Sequence, residues 1–142
     1  MLTRAAAIRA ATVRERFWFR FFMDVRRILR VSEAVKEELY EIIGFELEDP
    51  RLLEVEVTDV QVSPDSRHAA IKVALRGDQR RRNHALAALE HASGYLRQEL
   101  ASRLQLRHVP ELHFEQDKNP DVESRVDFLL RRARKSRGRD EN

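Results

Sequence analysis

The chain has 142 residues, of which 42% are hydrophobic and 36% charged, and its formal net charge at pH 7 is +3. This length suits one small domain with a modest core and excludes a multidomain enzyme. The absence of cysteine excludes disulfides and thiolate metal sites, and no stretch is long and apolar enough to span a membrane, so we expect a cytoplasmic protein without a membrane partner.

Charge is distributed unevenly along the chain. Acidic residues dominate positions 37–65, whereas arginines dominate the later part. The later arginines are Arg76, Arg80, Arg81, Arg82, Arg97, Arg103 and Arg107. A surface rich in arginine attracts phosphate, which makes nucleic acid the first partner to consider.

The segment of residues 1–25 is rich in arginine and contains a cluster of aromatic residues. Three interpretations stay open: an organellar targeting segment, although serine is absent; an amphipathic helix on a membrane or partner; and an extension preceding a physiological start at Met23. Domain-like sequence begins at Asp24. We therefore assign residues 1–25 to an N-terminal extension outside the fold and residues 26–116 to the folded domain.

The domain begins with a predicted amphipathic helix. From Arg27 to Ile43, apolar residues recur at helical spacing. Asp24 or Ser32 has the side chain of an N-cap, and Gly44 stands where a C′ glycine would end the helix.

A β-hairpin follows in the prediction. Apolar residues alternate over 53–62, and the alternation changes phase near Thr58-Asp59, which indicates a bulge. The sequence at 63–66 is typical of a turn. Residues 69–75 alternate again and predict a second strand.

A long helical run, residues 78–104, is interrupted by the small residues Ala92-Ser93-Gly94. Glycine inside a helix costs about 1 kcal/mol relative to alanine, so we predict a kink that divides the run into two helices. The predicted buried stripe consists of Leu86, Leu89, Tyr95, Leu96, Leu100 and Leu104.

The end of the chain is predicted to contain one strand and a tail. Leu112 and Phe114 mark a short third strand. Residues 117–142 are polar and basic, with a weak helical pattern over 122–130, and we expect a disordered tail there. The order helix, strand, strand, broken helix, strand predicts an α+β two-layer sandwich with helices on one face of a three-stranded sheet.

Arginines around the broken helix are candidates for contacting RNA. Guanidinium groups bind phosphate oxygens bidentately, and small side chains at Ser93-Gly94 would let a sugar-phosphate segment approach. Two alternatives stay open: solvated surface arginines, and a glycine that serves close packing of helix on sheet. The candidate RNA-binding residues are Arg26, Arg27, Arg30, Arg80, Arg81, Arg82, Ser93, Gly94, Arg97, Arg103 and Arg107.

Catalytic and metal-binding motifs are not evident. The five histidines show no metal-ligand spacing such as HExxH, and no glycine-rich phosphate loop precedes a helix. We therefore expect a protein that is not an enzyme and that has no metal site.

Five segments, taken together and in order, resemble the ribosome-binding factor A family. They are residues 26–31 (RRILRV), 48–52 (EDPRL), 57–69 (VTDVQVSPDSRHA), 92–100 (ASGYLRQEL) and 106–112 (LRHVPEL). The resemblance runs from about residue 26 to residue 114. The sequence before Met23 is not expected of the family, and the sequence after Phe114 is too variable to carry functional residues across.

The resemblance implies a type-II KH-like fold in which an Ala-x-Gly kink, here Ala92-Ser93-Gly94, replaces the GxxG loop of KH domains. It implies a maturation factor that binds free 30S small ribosomal subunits and 16S rRNA near its 5′-terminal helix. Such a factor assists late rRNA processing and subunit assembly, matters most in the cold and leaves before translation begins. We expect a monomer without a cofactor.

Two other functions stay open at this point. A general KH-type RNA-binding protein or chaperone would bind unrelated RNAs with similar affinity. A protein-interaction adaptor would use the acidic face of the first helix, and its function would tolerate reversal of the charges at Arg80, Arg81 and Arg82.

Overall fold

The computed structural model describes the backbone of residues 13–140 and the side chains of residues 24–135, 137 and 138. These residues form a two-layer α+β domain, which confirms the predicted class and the predicted order of helices and strands. A π-helical turn, Ile42–Glu46, and a 3-10 turn, Pro50–Leu52, lie between the first helix and the first strand. The main elements are α1 (Val13–Glu41), β1 (Glu56–Val62), β2 (His68–Ala74), α2 (Gln79–Leu104), β3 (Glu111–Gln116) and α3 (Val122–Asp140).

The three strands form one sheet in the order β1-β2-β3, with β1 antiparallel and β3 parallel to β2. The pairing of β1 with β2 skips Thr58, because Val57 faces Val73 while Asp59 faces Lys72. This confirms the bulge predicted from the change of phase. The extra residue lets apolar side chains on both sides of it face the core.

The core lies between the helices and one face of the sheet. Ala69, Ile71 and Val73 of β2 alternate inward and are fully buried, whereas His68 and Lys72 of the same strand point to the opposite face and are exposed. Buried residues of both long helices cover the inward face. They are Val35 and Leu39 of α1 with Ala85, Ala88, Leu89, Leu96 and Leu100 of α2.

Helix α1 begins earlier than predicted. Residues 13–25, which we assigned to an extension outside the fold, form the first turns of this helix. The interpretations that concern residues 1–12 lie outside the described residues. Ser32 is consequently not a cap: it is buried within the helix, and its Oγ accepts a hydrogen bond of 3.0 Å from the backbone N–H of Val62. This bond fixes α1 to the end of β1.

Helix α2 is a single element. It runs through Ala92, Ser93 and Gly94 without interruption, so the predicted division into two helices is wrong. The packing explanation of the glycine is wrong as well, because a Cβ built at Gly94 would meet no atom within 4 Å. Asp78 caps the helix through a side-chain oxygen that accepts a bond of 2.9 Å from the backbone N–H of Arg81.

Gly44 has a different role from the one predicted. It lies inside the π-helical turn instead of ending a helix in the left-handed conformation. A Cβ built at Gly44 would lie 2.9 Å from Cε2 of Phe128, which is closer than real Cβ contacts. Glycine is therefore required here because the ring of Phe128 packs directly against the backbone.

The expected disordered tail contains helix α3, and this helix is docked on the domain. Phe128 is fully buried, with its ring centroid 5.7 Å from that of Tyr40 and 5.5 Å from that of Phe45. The guanidinium of Arg131 lies over both Tyr40 and Phe45, at 5.5 Å and 5.1 Å from their centroids, and pairs with Glu41. The prediction of disorder is wrong because these contacts depend on residues far apart in sequence.

A buried charged pair also holds α3 in place. Nη1 of Arg125 donates a 2.9 Å hydrogen bond to the carbonyl of Glu54 and lies 3.7 Å from Oε2 of Glu56. Burial raises the pKa of Glu56 and lowers the pKa of Arg125, since both charges have left water. The folded unit thus extends beyond the predicted limit at residue 116.

Candidate nucleic-acid interface

An exposed stripe along α2 offers close access to the helix backbone. Ala87, His91, Gly94 and Gln98 are spaced by four, three and four residues, which places them on one helix face, and all four are exposed. We call these four residues the α2 crest. Gly94 has no side chain, and the space above it is open. A sugar-phosphate segment can therefore come closer to the helix backbone here than above a long side chain.

Tyr95 lies beside the crest and is 49% exposed, so its predicted place in the buried stripe is wrong. The reason is geometrical: each helical residue is rotated by about 100° from the last, so Tyr95 cannot share the direction of the buried Leu96. An exposed aromatic ring next to an open glycine is a surface on which a nucleic-acid base can stack, worth about 1–3 kcal/mol per base.

Arg97 is exposed on the flank of the crest, and its position is fixed by one contact. Its Nη2 donates a 3.0 Å hydrogen bond to the carbonyl of Val109, just before β3. The guanidinium also borders an open cleft of about 610 Å³ together with Arg67 and His108. The remaining N–H groups of Arg97 are available to an anion because one contact uses only part of its five donors.

Three of the predicted arginines form a separate group in the first turn of α2. Arg80 and Arg81 are exposed, while Arg82 is half-buried and its Nε donates a 2.9 Å bond to the carbonyl of Gly77. At 1.5 Å per residue, Arg81 is about 24 Å from Arg97 along the helix axis. The structure therefore does not bring the predicted α2 arginines into one cluster.

Arg103 is paired with carboxylates, which sets it apart from the other arginines predicted to bind RNA. Its Nη1 and Nη2 form a bidentate pair with Glu46 at 2.7 Å and 3.0 Å, and its Nε bonds Glu99 at 3.1 Å. Glu38 adds a fourth contact at 3.4 Å. The hydrogen bond from Arg103 lowers the pKa of Glu46, and the carboxylates raise the pKa of Arg103. These carboxylates neutralise the guanidinium, so a phosphate would have to compete with them for it.

The remaining predicted cations are exposed and lack internal partners. Arg26, Arg27 and Arg30 lie on one part of α1 and border a shallow depression with Asp24. Arg107 follows α2. Within the described side chains, none of these four arginines forms a hydrogen bond or an ion pair, so their charge faces solvent.

Sequence reasoning missed a cationic cleft of about 580 Å³ beside the first turn of α2. Arg81 and His84 of that turn border it together with Arg76 and with Arg132 of α3. The basic run at 131–137 indicated a charged segment, but only the docking of α3 brings Arg132 to this place. Among the described residues, one group of three side chains, His68, Glu111 and His113, is close enough to share a metal ion.

The order of elements, the one-sided sheet and the open, basic second helix define a KH-like α+β domain. The family described as ribosome-binding factor A matches residues 27–130, and this chain belongs to that family. The resemblance seen in the sequence is confirmed, and the family is described as a ribosome-binding factor. No described helix is long and apolar enough to cross a membrane.

Individual relatives agree with this assignment. The chain is 78% identical over 120 residues to a ribosome-binding factor A of Solibacter usitatus, covering 84% of this chain and 98% of the relative. It is 42% identical over 120 residues to that of Thermomicrobium roseum, covering 84% and 93%. The crystal structure of ribosome-binding factor A from Thermus thermophilus superposes with a TM-score of 0.57 at 31% identity, covering 63% of this chain and 94% of that one.

Proposed function

We propose that this protein is a cytoplasmic, monomeric maturation factor of the small ribosomal subunit. It binds free 30S particles and 16S rRNA near the 5′-terminal helix, and it assists late rRNA processing and assembly, most of all in the cold. The observation that carries the proposal is membership of the ribosome-binding factor A family over residues 27–130. The open crest and the unpaired arginines supply a physical means of binding RNA.

Two sets of contacts would hold the RNA. At Gly94 the sugar-phosphate chain approaches the helix, Arg97 binds a phosphate, and the ring of Tyr95 stacks on a base. Arg80 and Arg81 provide a second phosphate contact about 24 Å away. Because both points lie on one rigid helix, they favour a structured RNA of fixed shape over a flexible strand.

Binding would depend mainly on charge. Arg26, Arg27, Arg30 and Arg107, which have no partner among the described side chains, add cations, so several phosphates are neutralised and counterions are released. We therefore expect affinity to fall steeply as salt increases. No step of this function needs a bond to be made or broken by the protein.

The test is a block of the α2 crest that leaves the fold intact. Gly94→Glu places a negative side chain at the point of closest approach, and open space accommodates it. Two matched controls separate the effect of the added charge from the effect of replacing glycine in the helix. Gly94→Ala replaces the same glycine without adding charge, and Gln61→Glu adds the same charge on the exposed outer face of β1. Extract is fractionated on sucrose gradients at low salt, and the protein is located by antibody.

The wild type and both controls should migrate with free small subunits and stay absent from translating ribosomes, while Gly94→Glu should remain at the top of the gradient. A wild-type protein that stays at the top would overturn the ribosomal proposal. Equal binding of unrelated structured RNAs would favour a general RNA-binding protein. Unchanged migration of Gly94→Glu would leave the ribosomal role but contradict the crest as its contact.

A further inference from the structure

Three ligand-type side chains meet on the outer face of the sheet, opposite the helices. His68 begins β2 and pairs in register with Glu111, the first residue of the parallel strand β3. His113 lies two residues further along β3 and therefore points to the same face as Glu111. All three side chains are exposed, and none belongs to the α2 crest or to the arginine groups.

The two imidazole nitrogens lie at about the separation of ligands that share one ion, and the carboxylate lies nearby. Nδ1 of His68 is 3.0 Å from Nε2 of His113 and 3.9 Å from Oε2 of Glu111. The three ligand atoms lie within 4.8 Å of one another. With metal-nitrogen bonds of about 2.0–2.1 Å, ligand atoms are about 3.3 Å apart in a tetrahedral site and about 2.9 Å apart as octahedral neighbours. In a tetrahedral site the two nitrogens must separate by about 0.3 Å and the carboxylate must come closer, and both changes need only side-chain rotation because all three residues are exposed.

The backbone on both sides of this group is already fixed. The N–H of His68 donates to Oγ of Ser63 at 3.0 Å, and the carbonyl of His68 accepts from the N–H of Ser63 at 2.8 Å. The N–H of Glu111 donates to the carbonyl of Arg67 at 2.7 Å. Little ordering is therefore needed when an ion binds, which favours a site built on strands over one built on loops.

We propose that His68, Glu111 and His113 form a binding site for a divalent transition-metal ion, most suitably Zn²⁺. Two imidazoles and one carboxylate are a donor set that zinc accepts, with water at the open position. The carboxylate offsets part of the charge of the ion. Bound there, the ion links the edge strand β3 to β2 and stabilises the sheet on the side away from the proposed RNA contacts.

This site is not visible in the sequence because His68 is 45 residues from His113, on another strand. The spacing between Glu111 and His113 is that of a strand face and not of a helical motif, so our expectation that the chain has no metal site rested on the wrong pattern. The competing explanation is a hydrogen bond between two neutral imidazoles, with Glu111 free in solvent. That explanation predicts no selective binding of metal.

The proposal is tested on the full chain, without an affinity tag, after removal of metal with a chelator. Zn²⁺ is titrated calorimetrically, and Co²⁺ is used as a spectroscopic probe of tetrahedral coordination. The variants are His113→Ala and Glu111→Gln, and the matched control is His91→Ala, which removes an exposed histidine on α2 in the other layer. Circular dichroism verifies that each variant is folded.

We expect one Zn²⁺ per chain for the wild type and for His91→Ala, with visible cobalt absorption and a higher melting temperature. His113→Ala and Glu111→Gln should each weaken binding by at least about tenfold. Absence of binding heat up to about 1 mM Zn²⁺ would refute the proposal. So would equal affinity of the wild type and both ligand variants, since the ion would then bind elsewhere. Neither result bears on the ribosomal role.

Discussion

Replacement of Phe128 by alanine tests whether α3 belongs to the cooperative core. The ring is fully buried against Gly44, Tyr40 and Phe45. Truncation of a buried phenylalanine costs about 3–5 kcal/mol, composed of lost transfer free energy and of the cavity that remains. We expect a loss near the lower limit, about 3 kcal/mol, because α3 is terminal and can relax into the space. That is a large share of the roughly 5–15 kcal/mol that stabilises a typical domain.

Urea unfolding, followed by far-ultraviolet circular dichroism, measures the effect. The matched control is Leu130→Ala on the same helix, where the side chain is 52% exposed and the expected change is within about 0.5 kcal/mol. Gly44→Ala should also destabilise, because its Cβ meets the ring, but less so when Phe128 is already alanine. Equal unfolding midpoints for Phe128→Ala and Leu130→Ala would refute the reasoning and make α3 an appendage.

Three further predictions concern the helices. Gly94→Ala should raise the free energy of unfolding by about 1 kcal/mol, because the site is open and alanine favours a helix. An unchanged free energy of unfolding in urea would contradict a regular, unstrained helix there. Ser32→Ala should lower the free energy of unfolding by about 1–3 kcal/mol in the same assay, because the buried N–H of Val62 loses its hydrogen-bond acceptor. An unchanged unfolding midpoint would show that this hydrogen bond is dispensable. Arg103 lowers the pKa of Glu46 below its ordinary value of 4.5, so their stabilisation is present above that value and is lost as pH falls through the folded pKa. The stability difference between wild type and Arg103→Gln should therefore shrink as pH falls below 4.5 and through the folded pKa of Glu46, and a constant difference would exclude ionic pairing as its cause.

Local sequence patterns predicted those features of the backbone that depend only on neighbouring residues. The change of phase at Thr58-Asp59 indicated the bulge, because alternation along a strand reports directly which face each residue takes. The turn at 63–66 follows from short-range chemistry in the same way. These features need no knowledge of the rest of the fold.

Several of the wrong predictions concern residues whose roles are set by distant partners. Gly44 resembled a helix terminator, but its role is to admit Phe128, which is 84 residues later and was assigned to a disordered tail. In the sequence Arg103 resembled the other arginines of α2, but Glu38 of α1 and Glu46 of the π-helical turn neutralise it in the fold. Gly94 was recognised as unusual, but sequence alone could not distinguish a kink from an open surface.

Internal pairing divides the arginines into structural and available groups, and this division explains how a chain with a net charge of only +3 can present a basic surface. Arg51, Arg103 and Arg131 are paired with carboxylates, which removes acidic and basic charge together. Among the described side chains, Arg26, Arg27, Arg30 and Arg80 have no carboxylate partner. Because the acidic residues near the end of α1 are used in pairing, they do not cancel the field at the α2 crest. The positive charge that the surface presents is therefore what remains after internal pairing, and composition alone does not give it.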